Sequence, residues 1–228
     1  MSQGEDPAKR LRRLDVCCVS DALDQLGLPS AVTGLTPRTV RGAISGPVVT
    51  VRLAQGAPPP GHPPRHLCTT AIESAQPGGV IVVEQRTGVD AAGWGGMLSN
   101  AAVVRGLSGV ILDGPARDID EAADLGFPVF ARGQTARTAR GRVHEVETGG
   151  EITVGDVLVR SGDWVVADSS GVAFIAASDL TTVLDAAERI AKRETLMTKD
   201  ILEGRPVSGV MGASYEQMLE PKATEPAQ

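Results

Sequence analysis

Three apolar runs, VIVVEQ at 80–85, GVILD at 109–113 and PVFARG at 128–133, alternate with stretches of helical pattern between residues 67 and 133. A short run that is apolar at every position, with no polar alternation, describes a strand buried on both faces, as parallel sheets require. The intervening segments read as helices: 67–79 ending before Pro77, Met97 to Arg105 closed by Gly106, and 118–126. Strands and helices in that order build βαβ units with right-handed crossovers, which excludes all-helical and purely antiparallel folds. Upstream, DVCCVSDALDQLGL (15–28) has helical spacing with Gly27 as its stop, and RGAISGPVVTVRLA (41–54) reads as a strand pair or bent strand interrupted at Gly46-Pro47. The segment 55–66 holds five prolines in twelve residues and is a loop. Residues 142–175 are strand and turn without helix, and 177–204 is one long helix stopped by Gly204 and Pro206. Few partners remain for the apolar stripe of that helix, so it is expected to reach from the body towards a neighbouring subunit.

Composition narrows the partners. Aromatic residues are 3% of the 228, so the core must be aliphatic and there are no platforms on which single-stranded bases could stack. A formal net charge of −6 opposes a surface that follows phosphates. Nucleic acid is therefore not expected. The three cysteines, Cys17, Cys18 and Cys68, have no zinc-like spacing, and an odd, unpaired set fits a reducing compartment. With no membrane-length apolar run and no signal-peptide core in MSQGEDPAKRLRRLDV, the expectation is a cytoplasmic protein with no membrane partner. Residues 1–6 and 220–228 are expected to be disordered ends.

Ligands of α/β sheets bind beyond the C-terminal ends of the strands. Arg117 and Asp118 follow the GVILD strand and stand at that edge. Asp118 reads equally as the N-cap of the following helix or as a metal ligand, and Arg117 as a substrate contact or a surface partner of Asp120 or Glu121. GWGGML (93–98) opens a helix with backbone N–H groups that no side chain shields, a place for a small carboxylate. Trp94, Trp164 and Tyr215 are expected to be packing residues, with Trp94 near enough to Gly95 to line the same pocket. There is no GxxxxGK[ST] and no GxGxxG, so the loop is not a nucleotide site. The four lysines, Lys9, Lys192, Lys199 and Lys222, lie away from this region, which excludes a Schiff-base aldolase. His62 and His66 flank the proline-rich loop, and HPPRH cannot be helical, so no metal pair is expected there.

The Gly-Gly turn, the nine-residue helix, RGLSGVILDGPARD and LGFPVFARG together resemble the RraA-like family, which contains the regulators of ribonuclease E activity and metal-dependent pyruvyl aldolases. VSDALDQLGL, GPVVTVR, AIESAQPGGVIVVE and VRSGDWVVADSSGVAFI extend the likeness over 15–176. The resemblance implies an α/β fold, a swivelling α/β/β sandwich over 15–176. A C-terminal helical extension over 177–219 would pack on a neighbour in a homotrimer or homohexamer. It implies that Asp118 ligates Mg²⁺ or Mn²⁺, that Arg117 contacts the keto oxygen of a 2-oxo acid, and that the backbone of Gly95, Gly96, Met97 and Leu98 holds its carboxylate. Glu194, with Glu188 behind it, matches the acid that assists the metal waters across the subunit interface. One departure stands out: the aldolases carry an acid separated by twenty positions from the arginine, where this chain has Gly96. The implied activity is cleavage or decarboxylation of a 2-oxo acid through a pyruvate enolate, of the 4-hydroxy-4-methyl-2-oxoglutarate aldolase and oxaloacetate decarboxylase type. The alternative is a non-catalytic regulator that binds a ribonuclease or another protein.

Overall fold

A computed structural model describes residues 5–40, 42–61 and 65–212. His62, Tyr215, the tail 220–228 and the first four residues lie outside that range. In chain order the elements are helices α1 (Pro7–Leu11) and α2 (Val16–Gln25), strands β1 (Thr36–Pro37) and β2 (Ile44–Gln55), α3 (Thr69–Ser74), β3 (Val80–Glu84) and α4 (Gly96–Val104). There follow β4 (Gly109–Ala116), α5 (Ile119–Asp124), β5 (Val129–Gln134), β6 (Val143–Thr148), β7 (Ile152–Val154), β8 (Val157–Val159), β9 (Trp164–Asp168) and β10 (Gly171–Ile175). The long α6 (Leu180–Leu202) and the short α7 (Val207–Val210) complete the set.

The main sheet runs β1-β5-β4-β3-β2-β9-β10, with β6 also paired to β2, and β7-β8 form a separate hairpin. Strands β2 to β5 are mutually parallel, whereas β9 and β10 run antiparallel to their neighbours. Alternation along each strand sorts the core into three layers. Ile81 and Val83 of β3, with Val110 and Leu112 of β4, face α3, α4 and α5. Val80, Val82 and Ile111 point the other way, onto Val165 and Ala167 of β9, Val172 and Phe174 of β10, and the hairpin residues Ile152 to Val159. The far side of the antiparallel part, Val166, Ala173 and Ile175, is covered by α1, α2 and the first half of α6. The expected α/β/β sandwich is present, with a helical layer on its outer β face.

Gly46-Pro47 does not break β2 in two. The strand continues for 12 residues and changes partner there, with Ile44–Pro47 antiparallel to β9 and Val48–Arg52 parallel to β3. A side chain at 46 would run into the Gly78 carbonyl, so the glycine reflects close packing rather than a turn. The helix expected over 67–79 is reduced to the six residues of α3. Helix α6 buries Leu180, Val183, Leu184, Ala187 and Ile190 in its first half. Beyond Ile190 it carries Leu196 and Leu202 at 57% and 82% exposure, so the second half of its apolar stripe is uncovered.

Candidate active site

Strand β4 runs past its neighbour β3: their pairing stops at Glu84 and Asp113, yet β4 continues to Ala116. The chain at 93–94 takes over as its partner. Gly93 N donates to Pro115 O and Arg117 N donates to Trp94 O, each at 3.0 Å, around a parallel bridge between Trp94 and Ala116. This zip delivers the N-terminus of α4 beside the residues that leave β4. Trp94 anchors it from below. The indole is 1% exposed, stacks on Phe127 with ring centroids 6.1 Å apart, and donates from Nε1 to Ser99 Oγ at 2.9 Å. Trp94 is thus the packing residue expected, in the core under the loop, and its burial keeps it from lining the cleft.

Asp118 adopts the left-handed conformation, φ 55° and ψ 42°, one that aspartate tolerates better than most residues. Its place in the chain is the N-cap of α5, but its side chain makes no capping bond there. The carboxylate instead turns to the neighbouring helix: Oδ2 accepts from Gly96 N, the first amide of α4, at 2.9 Å. The same oxygen lies 3.3 Å from Arg117 Nε. The adjacent charges therefore face each other, and Arg117 does not pair with Asp120 or Glu121. Gly95 permits this approach, since a Cβ there would lie 2.8 Å from Asp118 Oδ2 and 3.1 Å from Arg117 Nε.

The carboxylate cradle expected from Gly95 to Leu98 is narrower than that. The Gly96 amide is used by Asp118, and Leu98 N donates to Gly95 O at 3.1 Å, closing the first turn of α4. The Leu98 side chain is buried in the core at 5% exposure, whereas Met97 is 81% exposed. The amides of Gly95 and Met97 have no hydrogen-bond partner among the described residues. These two donors at a helix N-terminus suit an anion. Beside them opens a cleft of about 580 Å³ lined by Arg117, Asp118, Ile119, Asp120, Glu121, Gln134, Thr135 and Ala136.

Glu121 was not singled out as a site residue from the sequence. It stands on the first turn of α5, accepts from Asn100 Nδ2 at 2.8 Å, and lines the cleft. A Cβ at Gly96 would overlap its carboxylate. The space that an acid at 96 would enter is filled by an acid from 121. The spacing Arg117-Asp118-x-x-Glu121 is the one sequence signal for it.

Glu194 is not brought to Arg117 and Asp118 within one chain. It lies on α6 against α2, where Cys18 Sγ approaches its Oε2 at 3.4 Å. Burial, Asp15 and Glu194 together push the Cys18 thiol well above its ordinary range. Burial, then Glu194, Asp24 and Asp15, also raise the Asp21 carboxyl. Glu188 is committed elsewhere: Arg10 holds both its oxygens, at 2.7 and 2.8 Å, and keeps its carboxyl below the ordinary value. His144 on β6 has Nδ1 3.1 Å from Gly56 O, and the three cysteines are all free.

No cluster of three or more His, Cys, Asp or Glu side chains arranged for a metal exists among the described residues. Asp118 has one oxygen engaged by Gly96 and Arg117, and the other accepts no hydrogen bond among the described residues. That donor set fits a hard divalent cation held by one carboxylate and otherwise by water, as Mg²⁺ prefers. It does not fit a closed zinc cage.

Residues 16–174 match a family profile described as Aldolase/RraA. The chain belongs to the RraA-like family. A relative from Halalkalibacterium halodurans, provisionally named a 4-hydroxy-4-methyl-2-oxoglutarate aldolase, is 32% identical over 191 residues, covering 83% of this chain and 86% of that protein. Among solved structures, an uncharacterized protein from Pseudomonas syringae superposes with a TM-score of 0.81 at 23% identity, over 90% of this chain and 96% of that one. Streptomyces coelicolor RraAS2, described as an unusual member of the RNase ES inhibitor RraA protein family, superposes with a TM-score of 0.74 at 25% identity, over 85% and 96%. This RraA-like chain thus has relatives named both as aldolases and as ribonuclease inhibitors.

Proposed function

We propose that the protein is a divalent-metal-dependent lyase that cleaves or decarboxylates a small 2-oxo acid through a pyruvate enolate. One observation carries the reading. At the open end of β4, an arginine and an aspartate face each other beside the free amides at the start of α4. The substrate carboxylate lies on the amides of Gly95 and Met97, which orients the 2-oxo group towards Arg117. When C–C cleavage or loss of CO2 leaves an electron pair on C3, the keto oxygen gains negative charge. The Arg117 guanidinium then holds it more tightly than it held the ketone, so its contribution falls on the rate. Asp118, through its free oxygen, would hold Mg²⁺ or Mn²⁺, which supplies a Lewis acid to the same oxygen. Gly96 fixes that carboxylate by its N–H, so the left-handed Asp118 keeps one orientation.

Protonation of C3 needs a water held by an acid. Glu121 supplies the carboxylate that position 96 lacks, oriented by Asn100. Glu194 of a neighbouring copy is the acid proposed to assist from across an interface. The exposed second half of α6 supports a homotrimer or homohexamer in which such a copy is present. No helix of the described residues is long and apolar enough to cross a membrane, which is consistent with the proposed cytoplasmic location. A second reading, a regulator that binds a ribonuclease, is favoured by the likeness to RraAS2.

The deciding experiment measures pyruvate release from oxaloacetate and from 4-hydroxy-4-methyl-2-oxoglutarate, with Mg²⁺ or Mn²⁺ and with EDTA, corrected for decay caused by metal alone. The expected result is metal-dependent turnover that falls about 10²- to 10³-fold in Arg117→Ala and is abolished in Asp118→Ala. Turnover at the free-metal background in the unmodified protein overturns the lyase reading in favour of the regulator.

A further inference from the structure

Gln85, the residue after β3, is a buried polar side chain that the proposed chemistry leaves unused. It is 3% exposed. Its Nε2 donates to Ala91 O at 2.6 Å, while its Oε1 is buried with no hydrogen-bond partner among the described residues. An orphaned acceptor in a core is destabilising, and a methionine of similar length would fill the space without it. What a methionine would lose is the bond to Ala91.

The surroundings of the carboxamide show what that bond holds. A Cβ at Gly93 would run into Oε1, and a Cβ at Gly114 would lie 2.8 Å from Gln85 Cβ. Gly93 opens the zip that carries the N-terminus of α4. Gly114 lies inside the register shift of β4 between Leu112 and Pro115, just before the strand changes partner from β3 to the 93–94 segment. Two backbone segments, the loop at Ala91 and Gly93 and strand β4 at Gly114, therefore meet at one side chain, and each presents a glycine to it.

We propose that Gln85 is a positioning residue for the site. Its carboxamide, wedged between Gly93 and Gly114 and tied to Ala91, sets the register of the loop 91–95 on the end of β4. It thereby sets where the amides of Gly95 and Met97 stand relative to Arg117 and Asp118. Gln85 touches no substrate and acts only through backbone. Its effect on catalysis rests on the lyase reading; its effect on the loop does not.

The test is hydrogen exchange by mass spectrometry, together with steady-state kinetics, on the full chain and on Gln85→Met. Amides of 91–97 are expected to exchange at least about tenfold faster, while those of 81–83 and 110–112 keep their rates. KM for the 2-oxo acid rises about tenfold with kcat within about twofold, because a loosened cradle weakens ground and transition states alike. Unchanged exchange at 91–97, or equal acceleration in all segments, overturns the proposal. Gly93→Ala provides a second route to the same joint, and its effects on exchange at 91–97 must be non-additive with those of Gln85→Ala. Additivity overturns the proposal too. Absence of turnover in the unmodified protein overturns the lyase reading alone, and the exchange result still decides the role of Gln85.

Discussion

Glycine at position 96 leaves room for the carboxylate of Glu121. Without a side chain there, Glu121 reaches the mouth of the cleft and is held by Asn100; with one, the two would occupy the same space. Gly96→Asp restores the acid at the aldolase position but forces it against Glu121, so overpacking and like charge act together. The expected cost is about 1–3 kcal/mol of stability, read as a lower Tm, with turnover below that of the unmodified protein. Removing the competitor, in Gly96→Asp/Glu121→Ala, should recover both; if turnover stays depressed in the double variant, Glu121 is not the substitute. Arg117 and Asp118 were legible as candidate site residues because an adjacent pair after a buried strand already lies at the edge where ligands bind, and both line the cleft. Glu121 was not, because it is 25 positions from Gly96 in the chain. Nothing in a one-dimensional pattern says that the first turn of α5 faces the first turn of α4. The direction in which Asp118 points was equally hidden. Its N-cap role was a fair expectation, but the left-handed backbone turns the carboxylate to the wrong helix for it.

Among the elements, α2 and α6 share an unbalanced interface. Burial raises the Asp21 carboxyl, and Glu194, Asp24 and Asp15 raise it further. A carboxyl whose folded-state pKa lies above its unfolded value contributes stability at low pH and loses that contribution as pH rises through the folded value. At pH 7 its charge therefore opposes folding. Asp21→Asn is expected to raise Tm at pH 7, and the gain should shrink as pH falls and disappear at about pH 3, below the ordinary aspartate value, where the carboxyl is protonated in both states. Thermal melts at the two pH values decide it, and a pH-independent gain would trace to something other than charge. The helical periodicity of 15–28 and 177–204 was plain in the sequence. That the two pack on each other was not, since amphipathic stripes name a face and not its partner. Of the two readings of 41–54, a strand pair or a single bent strand, the structure has one strand, β2. Gly46-Pro47 carries the usual signs of a break, but the glycine serves contact with Gly78, and Pro47 sits where the strand exchanges one neighbour for another.

At the scale of the molecule, the alternation of apolar strands and helices was enough to specify a parallel sheet, and the strand-turn pattern of 142–175, with no helix in it, pointed to the antiparallel half. Assembly is written more faintly. Leu196 and Leu202 on the exposed end of α6 are large apolar side chains on a helix that has left its own core. Sedimentation of the full chain is expected to show a trimer or hexamer, and Leu196→Asp/Leu202→Asp to shift it towards monomer with the fold retained by circular dichroism. A monomeric unmodified protein would remove Glu194 from the mechanism, because its own chain holds it against Cys18.

Strand β2 belongs to the parallel and the antiparallel parts at once. Every residue of the cleft lies between 93 and 136, but the scaffold that keeps those residues in place cannot be cut out with them. A fragment containing β3, β4 and β5 would expose the flank of β3 where β2 had paired, and would lose the face that Val80, Val82 and Ile111 bury. Such a chain has no natural seam. Variation in this site therefore has to arrive by exchanging side chains around a fixed frame, and not by transplanting the site as a module.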